Sequence, residues 1–256
     1  MPRWPLLLAL AVVLGAPPAF ALDEEEAGRS AVARIVGTSP LHRSAPLQRY
    51  VNLVGGVVAT RNDASRNWRF GVLESESVNA FAVPGGFVLV TAGFLRLLGS
   101  EDELAAVLAH EIAHVTRLHH YQAIVRQRHA DGAAQRPSTG DEREGAESLA
   151  LARASATVYG RGLGRAAEFE ADRLGLRFMT VAGYDPSAYL DMLERLDALA
   201  SNDPRVSLLA STHPTARERI DDLVRAGIER LSVPAPAAMQ ARKARFERLV
   251  RAALSP

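Results

Sequence analysis

Cysteine is absent from this 256-residue chain. Its absence excludes disulfides, thiolate-bound metal and a lipid-modified N-terminal cysteine. It also leaves the chain indifferent to redox conditions outside the cytosol. Long apolar runs are missing too. Leu6 to Gly15 is shorter than the roughly 20 residues needed to cross a bilayer. Phe81 to Leu98 is interrupted by Pro84, Gly85, Gly86, Gly93 and Arg96, and reads as a strand followed by a helix. Neither sign of charge dominates, since 30 Lys and Arg face 29 Asp and Glu. That balance gives no electrostatic footprint for a nucleic acid partner. The basic residues are nearly all arginine, which is a compositional bias and not a site.

The first 21 residues have the pattern of an export signal. Arg3 supplies a basic start and Leu6 to Gly15 an apolar core. Ala19, Phe20 and Ala21 form a small-x-small cleavage site, and Leu22 to Glu26 then opens a polar chain. Cleavage there predicts a periplasmic or secreted protein; the other reading is an uncleaved N-terminal anchor. The remaining residues, about 235, suffice for one domain with a sizeable core. The expected division is a signal peptide at 1–21, a main domain at 22–232 and a C-terminal tail helix at 233–256.

Periodicity predicts helices at Glu24 to Gly37 and Leu47 to Arg61, the second with a stripe of Leu47, Tyr50, Val51, Val54, Val57 and Val58. The Gly55–Gly56 pair weakens that helix or admits another backbone. Strand character follows at Trp68 to Glu74, Val78 to Val83 and Phe87 to Thr91, with a turn at Pro84, Gly85 and Gly86. These predict a small antiparallel sheet. Pro84 cannot sit in a central strand, so the segment from Asn79 to Val83 is expected to leave an edge exposed. An extended peptide can add to such an edge through Asn79, Ala80, Phe81 and Ala82; a plain hairpin is the alternative. After a short helix at Thr91 to Leu98, Ser100 and Glu103 form a capping box. The helix they open is expected to run to about Arg128. Ala130 to Gly145 is polar and reads as a mobile loop or lid. Helices are expected again at Ala146 to Tyr159, Arg165 to Ala182, Ser187 to Ala200 and Thr215 to Leu231. Leu209 to Pro214 reads as a loop, and Ala237 to Leu254 as a basic amphipathic tail. The fold class is therefore α+β, mostly helical, with the sheet packed on the helix that follows Ser100.

That helix carries His110, Glu111, Ile112, Ala113 and His114, an HExxH pattern. Residues four apart on a helix are separated by about 40° around the axis and about 6 Å along it. The two His can thus hold one metal ion, and Glu111 can reach a water on it, which is the chemistry of a zinc hydrolase. The run Leu104, Ala105, Val107 and Leu108 before it looks buried, where unpaired charge is costly.

Two His leave a catalytic zinc one protein ligand short. His120 occupies the third-His position of HExxHxxGxxH, but Arg117 replaces the Gly that would let the chain turn. If the helix continues, His120 lies about 15 Å from His110 along the axis and cannot join it. His119 and His129 are expected to be exposed. Glu168 and Asp172, also four apart on a predicted helix, are the other candidates: Glu168 as ligand, and Asp172 as acceptor for the far nitrogen of a ligand His. Glu170 is expected to point elsewhere.

The HExxH run, Glu168 to Asp172, His213–Pro214 and the Asn79 to Gly86 segment together resemble the HtpX and CAAX-prenyl-protease type of zinc metallopeptidase, in its soluble periplasmic, BepA-like branch. The resemblance covers roughly Leu41 to Glu229. It implies a zincin-like domain with one zinc per chain, held by His110, His114 and Glu168, with Glu111 as base. It further implies that the loop bearing His213 reaches the site, as a ligand or a transition-state contact, and that Arg219 orients it. Many relatives carry membrane spans or a helical-repeat extension, and neither is seen here.

The expected function is hydrolysis of peptide bonds in extended or misfolded envelope proteins, with peripheral envelope association allowed and no nucleic acid partner. The rival is a chaperone-like binding protein with a structural zinc, His213 closing the site as a fourth ligand. A weaker rival uses the tail, Arg242 to Arg251, on anionic membrane surfaces.

Overall fold

A computed structural model describes residues 23–132, 141–200, 203–227 and 234–255. The export-signal reading at 1–21 falls outside the described residues. The chain opens with α1 (Glu24–Thr38) and α2 (Ala45–Asn62), capped at their N-termini by the side chains of Asp23 and Ser44. Gly55 on α2 packs against the ring of Phe70, where a Cβ would lie 2.4 Å from the ring atoms. The close neighbour predicted for the glycine pair is therefore a side chain rather than a backbone.

Three strands follow: β1 (Arg69–Leu73), β2 (Ala80–Val83) and β3 (Phe87–Thr91), in the order β1-β3-β2. The β2–β3 hairpin is antiparallel, as its Pro84 to Gly86 turn predicts, but β1 joins β3 in parallel. The sheet is therefore mixed, not wholly antiparallel. Local alternation marks strands but not the direction in which non-neighbours meet. The outer edge of β1 is closed by α2. Gln48 bonds both the N–H and the C=O of Val72, at 2.8 and 2.9 Å, and Asn52 does the same for Phe70, at 3.2 and 2.7 Å. These two amide side chains, with the backbone of Pro40 to His42 that bridges Leu73, take the place of a fourth strand, so β2 remains the other edge.

After α3 (Ala92–Leu97) comes α4 (Glu101–Thr116), buried from Glu101 to Val115. Ser100 caps it, accepting from Glu103 N–H at 3.1 Å; the Glu103 carboxylate reaches back to Gly99 N–H. The helix stops at Thr116, twelve residues short of the expected Arg128. Arg117 caps it, Leu118 adopts a left-handed backbone (φ 58°), and α5 (His119–Gly132) starts anew. Helical propensity continues through this stretch, so nothing local marks the break.

The expected loop at Ala130 to Gly145 is narrower in the structure, because α5 reaches Gly132 and α6 (Asp141–Arg161) already begins at Asp141; the residues between lie outside the described set. Next are α7 (Arg165–Val181), α8 (Ser187–Ala200), α9 (Ser207–Thr212), α10 (Ala216–Arg225) and α11 (Pro236–Phe246), which continues as irregular helix to Leu254. Leu209 to Thr212, expected as loop, is helical. Its chain turns up through a 3-10 turn at Pro204–Val206 capped by Asp203, and His213 is the C-cap.

The tail packs on the start of α4. Arg245 Nε bonds Glu101 at 2.6 Å, Tyr50 OH bonds the same carboxylate at 2.9 Å, and Arg242 bonds Asp102 at 3.1 Å. Two tail cations are thus engaged with the domain. Among the described residues no helix is long and apolar enough to cross a membrane.

Candidate metal centre

The site is built where α7 crosses α4. Glu168, Asp172 and Gly175 share one stripe of α7, at i, i+4 and i+7. A Cβ on Gly175 would lie 2.9 Å from His110 N and 3.0 Å from its Cα. Only glycine lets the two backbones approach this closely, and that contact carries Glu168 and Asp172 to the HExxH face. A second close approach sets the far wall: Gly162 lies against Thr212, where a Cβ would meet the carbonyl oxygen at 2.0 Å. It seats the loop bearing His213.

Four ligand-type side chains converge. His110 Nε2 lies 3.0 Å from His114 Nε2 and 3.6 Å from Glu168 Oε2. Glu168 Oε1 is 3.7 Å from His114 Nε2, and its Oε2 is 3.5 Å from His213 Nε2. Ligand atoms of His110, Glu168 and His213 all lie within 4.8 Å of one another. A tetrahedral zinc with bonds of about 2.0–2.1 Å holds its ligands about 3.3 Å apart, so these spacings fit one ion. Glu168 Oε2 is buried without a hydrogen-bond partner, which a cation would supply.

Each His has its other nitrogen engaged. His110 Nδ1 meets Asp172 Oδ1 at 2.9 Å. The same oxygen accepts from Tyr189 OH at 2.9 Å and from Arg219 NH2 at 2.6 Å, and Arg219 Nε reaches the second oxygen at 2.9 Å. Arg219 thus pairs with the carboxylate that meets His110, and it also lies 3.3 Å from His110 Nδ1. Its hydrogen bonds go to Asp172 and His110, and it lines the same cavity as His213, beside which the resemblance implied a role. His213 Nδ1 instead sits against Thr212 Oγ1 at 3.0 Å and the Leu209 carbonyl at 3.3 Å.

The electrostatics favour cation binding. Burial tends to lower the pKa of His110, as does Arg219, but hydrogen bonds to Asp172 and Glu168 outweigh them and raise it to about 9. Burial lowers His114 and His213, each to about 4. Burial would raise Glu168, yet His213 and His114 hold it well below the usual carboxylate range. One proton thus sits on His110 and bridges to neutral His114, and a divalent cation competes with that proton.

Glu111 is pushed up to about 7, chiefly by burial, with Glu168 adding to it and His110 opposing. Between pH 4.5 and 7 the folded protein then holds a proton that the unfolded chain has lost, so stability falls as pH rises through that window. Glu111→Gln removes the cost. The metal-free variant is expected to exceed wild type at pH 8 by on the order of 2 kcal/mol and to match it near pH 4, as read by urea unfolding at both pH values. Equal stabilities at pH 8 would contradict this.

Two side chains expected to lie outside the site lie at it. His119 Nδ1 is 3.0 Å from His114 Nδ1, and its Nε2 is 3.3 Å from Glu170 Oε2. Glu170, off the Glu168 stripe, reaches this His and also Arg117 Nε at 2.7 Å. The break at Leu118 brings His119 there, and no local sequence signal reveals that break. It brings His120 in as well. Its ring packs 5.3 Å from that of His114 and stacks on Tyr159, and its Nδ1 is buried without a partner. His129 is exposed, as expected.

The β2 edge faces this centre. Thr91 N–H bonds Asn79 C=O, so by alternation Ala80 and Ala82 turn their backbone groups away from β3. Ala82 C=O accepts from Tyr159 OH on α6 at 2.9 Å, and Ala82 N–H is directed at the Glu111 carboxylate. Ala80 N–H is held by Asn79 Oδ1 at 3.0 Å. The cavity between Asn79, Phe81, Glu111, His120, Tyr159 and His213 is about 20 Å³, room for about one water and no peptide.

The profile of peptidase family M48 matches residues 43–226. Over 213 residues the chain is 31% identical to a beta-barrel assembly-enhancing protease of Escherichia coli, covering 78% of this chain and 43% of that protein. It is 33% identical over 218 residues to a putative beta-barrel assembly-enhancing protease of Vibrio cholerae, with the same coverages. It is 33% identical over 176 residues to the mitochondrial metalloendopeptidase OMA1 of Schizosaccharomyces pombe, covering 68% and 51%. The chain spans less than half the length of the first two.

Proposed function

The chain belongs to peptidase family M48, and from that premise we propose that it is an exported zinc metalloendopeptidase cutting extended or misfolded proteins of the cell envelope. The observation that carries the reading is the convergence of His110, His114 and Glu168 at zinc-ligand spacing, with Glu111 on the same helix facing the β2 edge. Export rests on the pattern of residues 1–21.

His110, His114 and Glu168 would hold the ion, one per chain. A zinc ion there supplies Lewis acidity, lowering a water's pKa to about 7 and polarising the scissile carbonyl. Glu111 accepts the proton of the attacking water and returns it to the leaving amine nitrogen. Asp172 keeps the His110 proton on Nδ1 so that Nε2 offers its lone pair. A substrate strand pairs with Ala80 and Ala82, displacing Tyr159 from the Ala82 carbonyl. In a water-sized cleft, that pairing requires α6 and the His213 loop to move aside.

The reading is tested by metal analysis and casein digestion. One zinc per chain is expected, with cleavage stopped by a chelator and restored by zinc. A pure, metal-loaded protein that cuts nothing favours the binding reading, in which His213 closes a four-ligand site. His213→Ala separates the two further. It is expected to keep one zinc per chain and to raise casein cleavage several-fold, because it clears the fourth corner beside Glu168. Loss of zinc in that variant would make His213 a structural ligand instead.

A further inference from the structure

We propose that His119 and Glu170 position the ligand His114 through a relay of hydrogen bonds running Glu170–His119–His114. It rests on the reading of His114 as a metal ligand. The two ligand histidines are held differently. His110 offers Nδ1 to a carboxylate, Asp172, whereas His114 offers Nδ1 to a second imidazole. Two ring nitrogens 3.0 Å apart bond only if one carries a hydrogen and the other a lone pair.

Glu170 decides which is which. A carboxylate can only accept, so at 3.3 Å from Glu170 Oε2 the His119 proton sits on Nε2. His119 Nδ1 is then the acceptor, and His114 donates from Nδ1. That leaves the His114 Nε2 lone pair aimed at His110 and Glu168, the orientation a ligand needs. Arg117 fixes Glu170 from its other oxygen at 2.7 Å. Each member has one allowed role, and the chain closes without an orphan.

The backbone is bent to make this possible. On a continuous helix His119 would lie about 140° around the axis from His114 and point away. The left-handed Leu118, a conformation unfavourable for a non-glycine residue, folds the chain back so that His119 meets its neighbour. Strain of this kind persists where the surroundings fix it, and here both flanking residues, Arg117 and His119, are tied to Glu170. His119 is accordingly a positioning residue that touches no substrate.

The test reads zinc affinity of the full chain by competition with a chromogenic chelator, with the absorption spectrum of the cobalt-loaded protein as a second readout. His119→Ala is expected to bind zinc about ten- to hundredfold more weakly, still at one per chain. His119→Asn, which keeps an acceptor near the Nδ1 position, is expected to recover most of the loss and the wild-type cobalt spectrum. Glu170→Ala, a change at a side chain 35% exposed, is expected to weaken binding several-fold without unfolding the protein. Unchanged affinity in His119→Ala overturns the proposal, as does His119→Asn binding as weakly as His119→Ala. If His119→Ala does not fold, unchanged affinity in Glu170→Ala overturns it. Wild type that takes up no zinc defeats the reading of His114 as a ligand, and is distinguishable because no variant is then needed.

Discussion

Replacing Glu111 by Gln is expected to cut casein hydrolysis by about 10²–10⁴-fold while leaving one zinc per chain. The substitution preserves shape. Gln Oε1 can still accept from the Ala82 N–H that the carboxylate faces, and the amide fills the same buried volume. What it cannot do is take a proton from water. Glu111 lies 5% exposed beside the β2 edge, and its pKa near 7 comes first from that burial. A base of this kind works only when ionised, so wild-type cleavage is expected to fall on the acid side as Glu111 protonates. A divalent cation beside it favours the ionised form, which moves the acid limb below 7. Zinc content, circular dichroism and casein digestion measured together decide the matter. A Gln variant with normal zinc and wild-type cleavage would remove Glu111 from the chemistry.

The largest expected loss of stability comes from Asp172→Ala. Asp172 is fully buried and Arg219 is 4% exposed, joined by three hydrogen bonds. Burial alone would raise the Asp172 pKa, but Arg219 and His110 drive it far below the usual carboxylate range. Its contribution is therefore fully present above the unfolded value of about 4, and is lost as pH falls further. Removing the carboxylate strands a buried guanidinium 3.3 Å from His110 Nδ1. The expected cost is about 3–5 kcal/mol by urea unfolding of the metal-free protein, with weaker zinc binding besides. Arg219→Met should cost a similar amount. The double variant Asp172→Leu with Arg219→Met should cost less than either single change, because no lone charge remains buried. Single variants within about 1 kcal/mol of wild type would show that the pair is solvated in solution.

Much of the scaffold could be read from local pattern. The Ser100 cap, the apolar stripe of α2, the Pro84 to Gly86 turn and the spacing of Glu168 and Asp172 each follow from near-neighbour geometry. Misreadings arose where distant parts decide. The parallel pairing of β1 with β3 depends on what else borders the sheet, here Gln48 and Asn52 taking up the far edge of β1. Short α9 has the local pattern of a loop, because three turn-forming residues, Ser211, Thr212 and Pro214, crowd its end.

The sequence by itself determined that His110 and His114 share one helix face, with Glu111 next to the first of them, and that Glu168 and Asp172 share another, because 3.6-residue periodicity is a local property of the chain. Only the tertiary structure decided that the two faces meet, through the backbone contact at Gly175. It alone decided that Arg219 pairs with Asp172, that Tyr159 covers the β2 edge, and that the helix breaks at Leu118 to return His119 and His120 to the centre. The physical reason is the same in each case. A buried charge or a strained backbone angle is tolerated only where partners from other segments offset its cost, and those partners are far away in sequence.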